Sequence, residues 1–424
     1  MKKSLLSIAV ILFIAVPALA VDFLNFPNFP SRAGGISPFD KKYWWDTDSL
    51  TFYAPFDDPS NPLRLIKGTG TLSFTRATTA TYVHPTTGLV TAAASGQLRI
   101  ESNGALIEGA RTNIILYSEQ FNNGAWEDVG SPSVSADNSV SPDGNMTTDN
   151  IIVAAVNRGK KQTSAISATS KTWTASAWLS SDTACTATIT IDSAGVRRIV
   201  DSQKTLSTTP TRYAVTVTAE ATDNGAVGMW VWRNENTSDT CTSISAWGEQ
   251  PEEGAFVSSY ATTTSAAATR NKDVLTIPAA GNFSRLAGTF VATVTFGVNG
   301  TAYIFDSSTP SADEADGNWI IFNGGAVTFS GQRLGVSSFS ISLLATASST
   351  HKIAATWSAD RAQLAVDGVL GTEDTSVTVG SADPTTITLG LSQGGAYNPL
   401  FGNMKDTLVL NRPFSDVELQ SITQ

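Results

Sequence analysis

The chain has 424 residues, a formal net charge of −10 at pH 7 and only 15% charged residues. A surface for nucleic acid needs clustered Lys and Arg, so this composition excludes nucleic acid as an expected partner. The length suggests two or three domains at roughly 150 residues each, and 10 Trp with 19 Phe supply aromatic area for their cores.

The first twenty residues have the order of a secretory signal peptide. Lys2 and Lys3 precede an apolar run from Leu5 to Val16, and Ala18-Leu19-Ala20 supplies small residues for cleavage. A membrane anchor is the alternative, but this run is shorter than the roughly 20 apolar residues that cross a bilayer. The sequence therefore predicts that residues 1–20 are removed and that the protein is secreted or displayed at the cell surface.

Two segments follow the predicted signal peptide. Residues 21–48 are rich in Phe, Pro and Asn, and prolines at 27, 30 and 38 interrupt any helix or strand ladder, which predicts an extended aromatic arm. Residues 49–117 contain short strand-like runs separated by turn residues. These predicted strands lie at 50–56, 72–76, 81–83, 89–91 and 97–100.

Residues 118–262 have the pattern of one β-sandwich or jelly roll. Ile189 and Ile191 alternate with Thr188 and Thr190, as in a strand with one buried face. Clusters of Ser, Asp, Gly and Pro separate the strands at the spacing typical of sandwiches. The predicted strands lie at 172–179, 185–192, 212–218, 228–233 and 242–248.

The chain contains two cysteines, Cys185 and Cys241, both inside this predicted module. In an oxidising compartment they could form one disulfide, provided that their Cα atoms lie within about 7 Å. Two unpaired buried thiols are the alternative, and the sequence alone does not decide between them.

A linker over residues 263–272 leads to a second predicted β-sandwich at 273–424. Ser415 is placed to cap a short C-terminal helix. The fold class predicted for the chain is all-β, with two β-sandwich domains after a strand-rich N-terminal segment. The predicted strands of the second module lie at 288–297, 302–306, 319–323, 352–357, 363–367, 386–391 and 406–410.

Several motifs resemble known families. The runs FTRATTATYV (74–83), GALIEGARTN (104–113) and YSEQF (117–121) resemble a segment of tailed-phage and prophage virion proteins, including tail-fibre and head-fibre-like proteins. A second set is similar to the carbohydrate-binding-module-like jelly roll that usually follows that segment. This set comprises Trp126, Trp178, WGEQPEEG (247–254) and Ser259-Tyr260.

A third set resembles a laminin-G, concanavalin-A-like module: HKIAATW (351–357), VDGV (366–369), GNMKD (402–406) and NRPFS (411–415). Together the resemblances imply a non-catalytic structural or adhesive role. The implied partners are a glycan or cell-surface polysaccharide, virion or envelope proteins, and further copies of the chain in a trimer. The signal peptide departs from the virion pattern, because virion proteins assemble in the host cytoplasm. Two origins fit the sequence. The chain is either an exported bacterial protein that has acquired phage modules or a phage protein that is sent through the envelope.

Trp230 and Trp232 are the main candidates for a glycan platform. They lie two apart in a predicted strand, so both rings project from one face, with Arg233 and Asn234 next in the chain. The alternative is that this face is the sandwich interior, and we expect at least one of the two rings to be core. Trp126 lies in the loop-like Asn-Asn-Gly-Ala context and is predicted to be an exposed sugar contact, whereas Trp178 and Trp247 are predicted to be core.

Asp306, Asp313 and Asp316, with Glu314, form a carboxylate-rich loop in the second module. Calcium takes six to eight oxygen ligands, and laminin-G-like folds often hold it at such rims, so this loop is a candidate calcium site. The spacing does not match an EF-hand, and solvated acidic turns are the alternative. No other cofactor is predicted.

Glycoside hydrolysis needs two facing carboxylates, and no predicted strand carries them at alternate positions. Glu252 and Glu253 are adjacent and would point apart. The sequence therefore favours a non-catalytic adhesion protein that binds cell-surface polysaccharide. A polysaccharide-degrading enzyme and a purely structural virion or envelope component remain as alternatives.

Overall fold

The computed structural model describes residues 48–297, 300–309, 316–333, 335–380, 382–393 and 398–424. The predicted signal peptide and all of the predicted arm except residue 48 lie outside these residues. The described part of the chain contains 29 strands and one short helix, which confirms the all-β class. No helix in it is both long enough and apolar enough to cross a membrane.

Ten consecutive strands build a β-sandwich that we call the middle sandwich. One five-stranded sheet has the order β15-β12-β17-β10-β9 and the other the order β14-β13-β16-β11-β8. The strands are β8 (Glu127–Val129), β9 (Ser133–Val140), β10 (Met146–Ile152), β11 (Arg158–Ser167), β12 (Thr172–Ser180), β13 (Cys185–Ser193), β14 (Arg197–Leu206), β15 (Thr211–Thr218), β16 (Ala226–Arg233) and β17 (Ser243–Glu253).

The core of the middle sandwich follows the alternation seen in the sequence. Ile189 and Ile191 are fully buried in it, together with Met229 and Val231 of the neighbouring strand β16. Full burial of such side chains stabilises the fold by roughly 1.5–3 kcal/mol each. The two sheets are also joined covalently, because Cys185 at the start of β13 and Cys241 before β17 form a disulfide.

The remaining long strands form a larger body, the terminal sandwich. It consists of one eight-stranded and one seven-stranded sheet. The strands that follow the middle sandwich are β18 (Ala268–Arg270), β19 (Val274–Pro278), β20 (Gly288–Thr295), β21 (Ala302–Asp306), β22 (Asp316–Asn323), β23 (Ala326–Arg333), β24 (Val336–Leu344), β25 (Thr350–Ser358), β26 (Arg361–Val366), β27 (Val369–Leu370), β28 (Thr386–Leu389) and β29 (Gly402–Leu410). The helix α1 (Asp416–Thr423) begins after Ser415, whose side chain accepts a hydrogen bond from the Glu418 backbone, as the sequence predicts.

The N-terminal segment is part of the terminal sandwich. Phe52, Phe74, Ile100 and Ile107 are buried in the terminal core, and Leu50 pairs with Leu410 at the other end of the chain. The middle sandwich is therefore inserted between two parts of the terminal sandwich. The N-terminal strands are β1 (Leu50–Ala54), β2 (Ser73–Thr75), β3 (Ala80–Val83), β4 (Val90–Ala93), β5 (Arg99–Glu101), β6 (Gly104–Ile107) and β7 (Arg111–Asn113). The eight-stranded sheet of the terminal sandwich has the order β27-β26-β25-β20-β29-β6-β5, with β1 also paired to β29. The seven-stranded sheet has the order β2-β19-β28-β21-β22-β23-β24.

A two-stranded neck marks the point where the chain enters and leaves the middle sandwich. Strand β7 pairs antiparallel with β18, so that Arg111 lies opposite Arg270 and Asn113 opposite Ala268. The amide of Asn113 donates hydrogen bonds to the backbone oxygens of Glu249 and Ala261, both at 2.9 Å. These contacts fix the neck to the last strand of the middle sandwich and to the segment that follows it.

A buried ion network surrounds the neck. Asp273 accepts from Arg99 Nη2 at 2.5 Å and from Arg76 Nη1 at 3.1 Å, and these three side chains are fully buried. Arg99 Nη1 also contacts Glu108 Oε2 at 2.8 Å. Burial alone would raise the pKa of Glu108, but Arg270, Arg99 and two hydrogen bonds from Ser259 lower it to about 2. The network joins residues from before and after the middle sandwich.

Aromatic rings form a second contact beside this network. Trp178 packs edge-on against Trp247 with 5.2 Å between ring centroids, and Tyr260 lies 5.0 Å from Trp247. Val90 of β4 is buried in the same cluster. Gly248 has a φ of +63°, and a Cβ at this position would lie 2.9 Å from the Trp178 ring. Trp247 is buried in this cluster, which confirms the prediction that it is a core residue and not a ligand contact, and half-buried Trp178 packs against it. The cluster lies at the junction, however, because both strands turn these rings away from the space between the two sheets.

Glu249 generates a prediction about pH. Its side chain is fully buried, neither carboxyl oxygen has a hydrogen-bond partner, and burial raises its pKa well above 4.5. Above pH 4.5 the unfolded chain loses this proton while the folded chain keeps it, so stability falls with rising pH until the folded pKa is reached. We expect Glu249→Gln to remove this loss, by up to about 1.4 kcal/mol per pH unit.

The measurement is urea unfolding of both proteins at pH 5 and pH 8. The advantage of Glu249→Gln should be larger at pH 8. Glu253→Gln, which replaces an exposed carboxylate at the end of the same strand, serves as the control for the substitution itself. A Glu249→Gln difference that is the same at both pH values would contradict a buried, protonated carboxyl.

Candidate functional site

Trp230 and Trp232 lie on the outer face of the middle sandwich. Between and beside them, Met229 and Val231 point into the hydrophobic core, so the two indoles project from the opposite side of β16. Their ring centroids are 5.1 Å apart at an interplanar angle of 60°. Trp232 is among the largest fully buried side chains, which confirms the expectation that at least one of the two rings is core, although it is buried on the outer face and not between the two sheets.

Trp232 is nonetheless fixed and covered on this face. Its Nε1 donates to Thr190 Oγ1 at 2.9 Å, and Thr190 Oγ1 donates to Asp201 Oδ1 at 2.6 Å. The Arg198 guanidinium lies over the ring at 5.1 Å and forms an ion pair with Asp201 at 3.4 Å. Only 2% of Trp232 is exposed, so it supports the site and offers no ring face to a ligand.

Trp230 is half-buried and is the more accessible ring of the pair. Lys161 Nζ lies 5.3 Å from its centroid and pairs with Glu127 Oε2 at 3.1 Å. Trp230 Nε1 and Asp192 Oδ1 are both buried and make no hydrogen bond of standard geometry, although the indole lies near enough to the carboxylate to act on it. Burial raises the pKa of Asp192, while the nearby Trp230 indole and Lys161 ammonium act in the opposite direction.

A glycine makes room for this arrangement. Gly228 lies opposite Asp192 in the strand register, and a Cβ at Gly228 would approach Asp192 Oδ1 to 1.9 Å. The carboxylate can therefore lie flat on the β16 backbone beside Trp230. We call the surface formed by Trp230, Trp232, Lys161, Asp192 and Arg198 the tryptophan face.

Arg233 and Asn234 do not belong to the tryptophan face, which corrects their predicted role as sugar contacts. Arg233 Nε donates to the Asp239 carbonyl and Nη1 to the Ala154 carbonyl, both at 3.1 Å. Asn234 is fully buried, and its Oδ1 accepts from the Asn236 backbone at 3.0 Å. Both side chains hold the loop after β16 in place, because that loop leaves carbonyls and amides without strand partners.

The prediction that Trp126 is an exposed contact is also wrong. Trp126 is 3% exposed, and its ring centroid lies 4.7 Å from that of Phe121 in the core of the middle sandwich. Its Nε1 donates to the Tyr117 carbonyl at 3.0 Å. The residues at 122–125 form turns at the edge of this core. The local sequence therefore has the composition of an exposed loop although the Trp126 ring itself is buried.

The candidate calcium residues have other contacts where the structure describes them. Asp306 is fully buried, and its carboxylate accepts from the Ser308 backbone at 2.8 Å and from the Gln393 backbone at 2.7 Å. The Asp316 carbonyl accepts from Arg285 at 2.9 Å. Asp313 lies outside the described residues, and the described part of the chain contains no group of three His, Cys, Asp or Glu side chains that could hold a metal. Calcium at this loop stays a prediction.

The sequence analysis missed Lys161, Asp192 and Arg198. These residues come from β11, β13 and β14, and only the register of the sheet places them around Trp230. The sequence did indicate that Asp192 lies on the outer face, because it follows Thr188 and Thr190 at alternate positions of the same strand. The pairing partners of that strand cannot be derived from one sequence.

No protein-family model matches the chain, and no curated protein does. Among solved structures, the Ruminococcus gnavus IT-sialidase CBM40 bound to alpha2,3 sialyllactose is 17% identical, with a TM-score of 0.28 over 32% of this chain and 82% of that chain. The receptor binding domain of botulinum neurotoxin C/D mosaic serotype is 9% identical, with a TM-score of 0.28 over 36% and 40%. A SAP-like pentraxin from Limulus polyphemus is 15% identical, with a TM-score of 0.25 over 32% and 70%.

These likenesses are too distant to carry an argument about the function of this chain. The resemblance to phage virion proteins and to laminin-G modules stays a prediction from the sequence.

The burial of Trp232 generates a prediction about stability. We expect Trp232→Ala to lower the free energy of unfolding by about 3–5 kcal/mol, the cost of removing a buried Trp side chain. Trp230→Ala is the matched control and should cost less, because that ring is half-buried. Chemical denaturation of both variants checks the order, and a Trp232→Ala variant as stable as the parent chain would contradict the described packing.

Proposed function

We propose that the chain recognises glycans without transforming them, and that the tryptophan face is one of its binding surfaces. The observation that carries the proposal is Trp230, a half-buried indole on an outer sheet face with Lys161 and Asp192 around it. The CH-rich face of a pyranose packs on such a ring, while its hydroxyls pair with charged and polar groups at the rim. Large amphipathic aromatic side chains supply much of the energy of such contacts.

The carboxylates of the tryptophan face support binding rather than hydrolysis. Asp201 is held by Thr190 and Arg198, and Glu127 pairs with Lys161. Asp192 Oδ1 is covered. Glycoside hydrolysis needs two carboxyl groups that both reach the scissile bond, and this face offers no such free pair. We infer a non-catalytic role on this basis.

The proposed location is outside the cytoplasm, which rests on the predicted signal peptide alone. Attachment to a phage or bacterial surface fits the sequence resemblance of the segment at 74–121. A single shallow face gives weak binding, and several copies of the chain would gain avidity without any new contact.

The test is a glycan array that includes polysaccharides of bacterial surfaces and sialyllactose, followed by titration of the best ligand. We expect Trp230→Ala to weaken binding by about tenfold or more, which corresponds to about 1.4 kcal/mol. Trp319→Ala is the matched control, because Trp319 is a half-buried Trp of the terminal sandwich, and its affinity should be unchanged.

An array without any ligand for the parent chain would overturn the proposal. Equal loss of affinity in the two variants would show that the tryptophan face is not the binding surface. Release of new reducing ends from a bound polysaccharide would show that the chain is an enzyme.

A further inference from the structure

A cavity of about 240 Å³ lies at the junction of the two sandwiches, away from the tryptophan face. Its walls come from three parts of the chain. Tyr82 and Glu101 belong to the N-terminal strands, Trp178 and Arg212 to the middle sandwich, and Asn403 to β29 of the terminal sandwich. The cavity therefore exists only when both sandwiches are folded and joined.

Arg212 is the notable side chain of this cavity. It lies opposite Trp178 in the strand register, and its guanidinium carbon is 4.4 Å from the Trp178 ring centroid. Nη1 donates to the Ser258 carbonyl at 2.8 Å. Nε and Nη2 are buried and have no hydrogen-bond partner. These two nitrogens form the side-on edge of the guanidinium fork, which matches the two oxygens of a carboxylate.

No carboxylate among the described residues forms a close ion pair with Arg212, although the charges of Glu252 and Glu108 act on it from farther away. Glu252 uses its oxygens for the Ser258 backbone and hydroxyl, at 2.9 and 2.6 Å. Glu108 is engaged by Arg99 and Ser259. Burial lowers the pKa of Arg212 to about 10, so the group remains a cation at neutral pH. Buried N–H groups of a cation that make no hydrogen bond are costly, and an anion bound at Nε and Nη2 would offset that cost.

Another part of the cavity wall suits hydroxyl groups. Glu101 accepts hydrogen bonds from the Val83 backbone at 2.9 Å and from Asn403 Nδ2 at 3.2 Å, and burial raises its pKa. The rings of Tyr82 and Trp178 add apolar surface between the polar groups. Pockets for drug-sized ligands hold roughly 300–1,000 Å³, so a cavity of about 240 Å³ fits a ligand no larger than one sugar ring.

We propose that this junction cavity binds an acidic monosaccharide unit, such as a uronic acid, whose carboxylate pairs with Nε and Nη2 of Arg212. Both nitrogens are covered, so entry of the ligand requires a side-chain adjustment at this wall, which is common on binding. The inference rests on the junction and not on the tryptophan face. The two proposals can therefore fail independently.

The test is calorimetric titration of the full chain with methyl β-glucuronide, methyl β-galacturonide and methyl β-glucoside. We expect one of the two uronides to bind and the neutral glucoside to bind at least tenfold more weakly. Arg212→Gln should weaken uronide binding by at least tenfold, and Arg212→Lys should weaken it too, because a lysine keeps the charge but lacks the fork. Trp319→Ala and Arg361→Gln, two residues of the terminal sandwich that line neither the cavity nor the tryptophan face, are the controls and should leave uronide affinity unchanged. Trp230→Ala is measured beside them.

Several outcomes would overturn the inference: no uronide bound, equal affinity for uronide and glucoside, or full affinity in a folded Arg212→Gln. Arg212-dependent binding of inorganic phosphate in preference to both uronides would also overturn it. If Arg212→Gln does not fold, the ratio of uronide to glucoside affinity in the parent chain and the result with Arg212→Lys decide the question. A loss of affinity in Trp230→Ala instead would assign uronide binding to the tryptophan face.

Discussion

Asp273 is the central residue of the buried ion network at the neck, and the connection between the two sandwiches depends on this network. Its carboxylate accepts from Arg76 and Arg99 and from the Glu108 backbone, all of which precede the middle sandwich in the chain, whereas Asp273 follows it. Replacing a buried ion pair with apolar residues is often neutral, but removing one partner typically costs 3–5 kcal/mol. An arrangement of the neck that separated these partners would leave a buried charge unpaired, so the network favours the arrangement observed.

Because the neck fixes the middle sandwich in this way, its two sheets present different surfaces. The sheet that contains β12 and β17 turns Trp178, Trp247 and Arg212 toward the junction, where the terminal sandwich completes the cavity. The other sheet carries the tryptophan face. A ligand at the cavity would depend on the neck, while a glycan on the tryptophan face would need only the middle sandwich. The insertion thus gives one module two different kinds of recognition surface.

The sequence predicted what local alternation determines. The strand predicted at 185–192 is observed as β13 (Cys185–Ser193), because Ile and Thr alternate at the period of a strand. The pairing of Leu50 with Leu410 and the insertion of the middle sandwich were not predicted, since partners that far apart leave no local pattern. Trp126 and Asn234 were assigned to the site from polar neighbours, and only three-dimensional packing shows that those neighbours cover them. Lys161 and Arg198 were missed because they come from other strands, and only the pairing register of those strands places them near Trp230 and Trp232.

The most direct test of the account is scanning calorimetry of the full chain beside its Asp273→Asn variant. The account predicts one transition for the parent chain, with equal calorimetric and van't Hoff enthalpies, because the neck couples the two sandwiches. It predicts two separated transitions for the variant, in which Arg76 and Arg99 lose their shared counter-ion. Two transitions in the parent chain, or an unchanged single transition in the variant, would contradict the claim that this network joins the sandwiches.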